Sequence, residues 1–148
     1  MVKINFIKVE QSIKIFGWFG FGKKEFDCPG LVKDKIDFYM VNNKLPFPCD
    51  QCYKALIFCE GYFSKENVIH FFNMINSFKI NYRGKLNEGV VVFYFRDKNE
   101  MLEFLRFLNS EMQVYGVKGK IQWRKACKEF QDLQPKLWKS AKEFIPNI

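Results

Sequence analysis

Lys85-Leu86-Asn87-Glu88-Gly89-Val90-Val91-Val92-Phe93-Tyr94-Phe95 carries two strand signals on either side of a turn signal. Residues 90–95 are β-branched or aromatic throughout, and Asn87-Glu88-Gly89 is rich in residues that turn a chain back. A hairpin follows, with its first strand over Lys79–Leu86 and its second over Val90–Phe95. Working outward, Ser64 is placed to cap a helix over 65–77, where Val68, Ile69, Phe71, Phe72 and Ile75 make a broad apolar stripe. The short apolar run Ala55-Leu56-Ile57-Phe58-Cys59 before it reads as a strand. On the far side, Asn99 is the expected cap of a helix over 100–113, with Met101, Leu102, Leu105, Leu108 and Met112 at helical spacing. Gly116 lies just past its end, and Val117–Lys125 reads as the last strand.

The resulting order, β-α-β-β-α-β over about residues 54–124, is similar to the ferredoxin-like sandwich. That resemblance implies an α+β protein with a four-stranded antiparallel sheet and both helices on one face. The remainder is expected to extend this core within a single domain, 1–148. Residues 1–53 form the N-terminal extension. There, alternation over 2–9 and 12–19 predicts a β-hairpin. The glycine-aromatic stretch 17–24 reads as a loop, and Asp27 and Pro29 start a helix over 29–42. Leu45-Pro46-Phe47-Pro48 is an extended connector, because each proline restricts itself and its predecessor. Residues 125–148 form a basic amphipathic helical tail, which Pro135 must divide or bend.

Composition bounds the function. The chain has 148 residues, 48% hydrophobic and 27% charged, a balance that supports a packed core rather than disorder. Its 18 phenylalanines predict an aromatic core or interface. It has no apolar run long enough for a membrane span, and the N-terminus lacks the apolar region of a secretion signal, so a cytoplasmic location is the expectation. The net charge is +8, unevenly spread. Residues 1–54 hold 9 basic and 6 acidic side chains, residues 55–117 hold 7 of each, and residues 118–148 hold 8 basic and 3 acidic. Positive charge is densest at the C-terminal end, the expected location of any contact with a polyanion.

Two candidate sites emerge. Lys118, Lys120, Trp123, Arg124, Lys125, Lys128, Lys136, Trp138, Lys139 and Lys142 interleave cations with aromatic rings, as a nucleic-acid backbone with bases to stack would require. Lys23 and Lys24, at the end of the glycine-aromatic loop, would add to that surface. The plainer reading of the tail pattern is an amphipathic helix whose Trp138 and Phe130 cover the sheet while its lysines are solvated. The second candidate is Cys49-Asp50-Gln51-Cys52, half of a zinc signature, with Cys28 and Cys59 as the nearest further thiols. Five cysteines without a secretion signal favour reduced thiols or a metal over disulfides.

Stretch 88–95 is similar only in part to the third strand of the RNA-recognition motif. It keeps Gly89 and Phe95, but has Glu88 for a basic residue and valines where stacking rings belong. With valines on both faces the strand reads as buried on both sides rather than as an open RNA platform, and the second face is expected to be covered by the N-terminal segment, the C-terminal helices or another subunit. Catalytic motifs are thin: one histidine, and no G-x-S-x-G or H-E-x-x-H pattern. The expectation is a non-enzymatic nucleic-acid-binding protein, with RNA favoured over DNA. The alternatives are a small metal- or thiol-dependent protein organised by Cys28, Cys49 and Cys52, an acidic protein partner at the basic surface, or a structural subunit that associates through its aromatic surface.

Overall fold

The structure is a computed structural model in which residues 6–17, 19–22, 33–59, 64–78, 83–87 and 89–133 are described. The elements run α1 (Phe6–Phe16), β1 (Phe19–Phe21), α2 (Lys33–Asn42), a 3-10 turn (Cys49–Gln51), β2 (Tyr53–Phe58) and α3 (Lys65–Ser77). They continue with β3 (Gly84–Asn87), β4 (Val90–Phe95), α4 (Lys98–Tyr115), β5 (Lys120–Lys125) and α5 (Lys128–Leu133). The protein is therefore α+β. Its five strands form one antiparallel sheet in the order β1-β3-β4-β2-β5.

One face of the sheet carries the main core. Ala55, Ile57, Leu86, Val91, Phe93, Phe95 and Trp123 alternate inward from their strands and meet Phe71, Phe72 and Met74 of α3 and Met101, Phe104, Leu105 and Leu108 of α4. Phe104 packs against the rings of Phe93 at 4.8 Å and Phe95 at 5.1 Å between centroids. Buried rings of this size supply much of the hydrophobic stabilisation. The helix ends have identifiable caps. Ser64 Oγ accepts the N–H of Asn67 at 3.2 Å, and Gly116 closes α4 at φ +71°. Asp97, rather than Asn99, caps α4, because its carboxylate accepts the Glu100 N–H at 3.1 Å; the helix therefore starts earlier than the spacing predicted and runs on to Tyr115.

A second, smaller cluster joins α2 to α5: Tyr39 stacks edge-on against Phe130 at 5.0 Å, with Cys49 and Ala126 beside them. Ala126 adopts φ +60° and its N–H donates to Cys52 O at 2.9 Å, so the chain leaves β5 sharply and α5 reaches α2.

The N-terminal hairpin expectation is corrected. Residues 6–16 form a helix, in which Val9 and Ile13, four apart, are buried while Ile7 and Ile15 face outward. Alternation groups Ile7 with Val9 on one strand of the hairpin and Ile13 with Ile15 on the other; the 3.6 period instead puts Val9 and Ile13 on one helix face. Part of the expected loop 17–24 is the edge strand β1, which pairs with β3. The connector is not extended throughout, since it turns at Phe47-Pro48 before the 3-10 turn. Residues 1–5, 23–32, 79–82 and 134–148 lie outside the described residues, so the Asp27 cap, the start of the expected strand at Lys79 and the Pro135 break fall there. Among the described residues, no helix is long and apolar enough to cross a membrane.

Candidate functional site

Because side chains alternate along a strand, the residues opposite the core share the second face of the sheet. The pairing register sets them in rows. Lys54 lies opposite Tyr94 on one side and Arg124 on the other. The N–H of Tyr94 donates to the carbonyl of Arg83 at 2.9 Å, which puts Arg83 at the end of the same row. The row thus reads Arg83–Tyr94–Lys54–Arg124. At about 4.8 Å between strands it spans roughly 14 Å. The next row is Gly20–Lys85–Val92–Leu56–Gln122, and beyond it Phe58 stands between Val90 and Lys120.

This face gathers Lys54, Arg83, Lys85, Lys120 and Arg124, and no strand of the sheet contains an Asp or Glu. Among the described residues, no carboxylate is within ion-pair distance of any of the five. The Nζ atoms of Lys54 and Lys85 lie 5.6 and 5.9 Å from the Tyr94 ring centroid. Gly20 leaves room for Arg83, whose guanidinium would stand 2.9 Å from a Cβ at that position. Leu56 and Val92 at the centre are buried, whereas the cations and Tyr94 around them are half-buried or exposed. Lys54 and Arg124, directly opposite one another, are like charges in a pair that normally costs stability. Such an arrangement is chemically suited to an anion with several charges and some planar apolar surface.

The expected basic residues divide. Lys120 and Arg124 join this face, and Lys118 is exposed at the entry to β5. Lys125 turns the other way, 5.5 Å over the Tyr53 ring. Trp123 is corrected: it is 6% exposed and packed in the main core, with Lys98 Nζ 5.1 Å from the ring centroid, so its ring offers no open face to a base. The side chain of Lys128, together with Lys23, Lys24, Lys136, Trp138, Lys139 and Lys142, lies outside the described residues. Sequence reasoning missed Lys54, Arg83, Lys85 and Tyr94. The signal was their shared parity once the strands are paired, a relation invisible along a single strand.

The zinc expectation finds no support. Among the described residues, no three His, Cys, Asp or Glu side chains gather as a metal centre requires. Cys49 is buried with Tyr39 and Phe130 in the small cluster, while Cys59 packs against the main core. Cys52 is also buried, and Cys28 lies outside the described residues. Burial pushes the Cys59 thiol up from its ordinary value, with a hydrogen bond to Asn67 opposing in part. Burial thus favours the neutral form of this thiol. Cys127 accepts from Lys54 Nζ at 3.6 Å at the edge of the basic face.

No family model, curated protein or solved structure matches this chain.

Proposed function

We propose that this protein binds nucleic acid, RNA in the first place, through the second face of its sheet, and does so without catalysing a reaction. The observation that carries the reading is the set of five cations on one face with no carboxylate partner among the described residues. Like charges held side by side cost folding energy, and a polyanion is the ligand that converts the cost into binding. An aromatic ring inside the cationic set favours nucleic acid over a simple polyanion, since bases bring planar surface to stack. RNA is favoured because its loops and ends commonly expose unpaired bases. Lys118 is exposed at the entry to β5, the strand that carries Lys120 and Arg124.

The architecture beneath this face we infer to be a ferredoxin-like sandwich formed by β2, α3, β3, β4, α4 and β5. Its support is the strand order β3-β4-β2-β5, in which the first and third strands of the unit are central and the second and fourth flank them. In this reading β1 is an added edge. An experimental structure with a left-handed crossover in either half would overturn the assignment.

The functional test is fluorescence anisotropy with a labelled 12-nucleotide RNA at 50 and 200 mM salt. We expect binding at the lower salt that weakens by roughly two orders of magnitude at the higher, as release of about five counterions would produce. Replacing Lys54, Lys85 and Arg124 together with Glu should abolish it. The companion replacement of Lys136, Lys139 and Lys142 should weaken it less. Salt-insensitive binding, or none at 50 mM, removes the proposal.

A further inference from the structure

We propose that the ligand of this face is a single strand with unpaired bases, one of them stacked on the Tyr94 ring between Lys54 and Lys85; this rests on the nucleic-acid reading above. Tyr94 stands inside the cationic row, with Arg83 on one flank and Lys54 on the other, and both lysine ammonium groups are within 6 Å of its ring centroid. A ligand that showed only phosphates would meet the cations and leave the ring unused. A duplex is such a ligand, because its base faces are hidden in the stack. Nor can the sheet enter a groove: five strands at about 4.8 Å span roughly 19 Å, whereas the major groove is about 12 Å wide.

A single strand satisfies both parts of the surface. Stacking a base on an aromatic ring is worth more than an exposed cation–π contact, so a base can displace an ammonium from the Tyr94 face. The displaced Lys54 or Lys85 then meets the adjoining phosphate. Phe58 offers a second ring on the same face, beside Lys120. It lies four residues along β2 from Lys54, about 14 Å away at a strand's rise per residue. The bound strand would therefore cross the sheet obliquely, from the Arg83–Arg124 row toward Lys120.

The test compares a mixed-sequence 12-nucleotide single strand with its 12-base-pair duplex at 50 mM salt, using wild type, Tyr94→Leu and Tyr94→Phe. We expect the single strand to bind at least about tenfold more tightly than the duplex. Tyr94→Leu should weaken single-strand binding roughly tenfold or more, leave duplex binding unchanged and keep the salt slope, while Tyr94→Phe retains wild-type affinity. An unchanged urea midpoint shows that the Leu variant is folded; if it is not, the Tyr94→Phe result and the strand-against-duplex ratio still decide. Equal, salt-sensitive binding of both forms, or a Tyr94→Leu variant that binds normally, overturns this inference and leaves the broader reading standing. No binding of either form at 50 mM salt overturns both.

Discussion

Burial against the main core pushes the thiol of Cys59 up, and the hydrogen bond to Asn67 only partly offsets that cost. Asn67 is itself committed, donating to Lys118 O at 3.0 Å and accepting the Lys118 N–H at 2.8 Å. The linkage has a definite sign. A thiol whose pKa is higher in the folded state than in the unfolded one gives a stability contribution that is complete below the ordinary thiol range. That contribution is lost as pH rises through the folded value. The urea midpoint of the wild type should therefore fall more between pH 7 and pH 10.5 than that of Cys59→Ala, whose remaining titrating groups are the same. Parallel decreases in the two proteins would show that Cys59 carries no such linkage. The fold sends Cys49 and Cys59 to different clusters, so the spacing of these two along the sequence does not become proximity in space.

At the level of elements, those with long periodic patterns and local punctuation were legible. Helix α3 has the expected bounds because Ser64 caps it and its apolar stripe faces the sheet, and β4 has the expected bounds because nothing in Val90–Phe95 competes with a strand. Alternation failed at α1, where burial of Val9 and Ile13 selects the helix over a β-rich local composition. The edge strand β1 was hidden because only three residues form it and its inner side chains, Phe19 and Phe21, depend on a partner far away in sequence. That partner carries the fit: a Cβ on Gly84 would run into the Phe21 ring. Gly84→Val should therefore force Phe21 out and release β1, at a cost of about 1–3 kcal/mol by the usual penalty for overpacking. Urea denaturation measures the loss, and faster amide exchange at residues 19–21 locates it. Unchanged stability would mean that β1 adjusts without cost.

Across the whole molecule, charge is sorted by face rather than by segment. Residues 55–117 balance to zero along the chain, yet their Arg83 and Lys85 join Lys54, Lys120 and Arg124 on the second face of the sheet, while Glu66, Glu100, Glu103 and Glu111 sit beside Lys65, Lys98 and Arg106 on α3 and α4, across the sheet. A tally along the sequence averages over the direction in which the charges separate, so it credits Lys120 and Arg124 to the C-terminal segment and does not join them to Lys54, Arg83 and Lys85. Arg124 gives the cleanest test, because it joins the basic row without a carboxylate partner among the described residues and directly opposes Lys54. Removing one of two opposed like charges relieves repulsion of a few tenths of a kcal/mol up to about 1 kcal/mol. Removing one phosphate-binding cation lowers the salt slope of single-strand binding by about 0.7. Arg124→Gln should therefore be at least as stable as wild type in urea while binding a 12-nucleotide RNA more weakly and with a shallower dependence of log K on log salt. A purely structural arginine would give the reverse pattern, with stability lost and the slope unchanged. The two measurements on one variant thus separate a surface kept for a ligand from one kept for the fold.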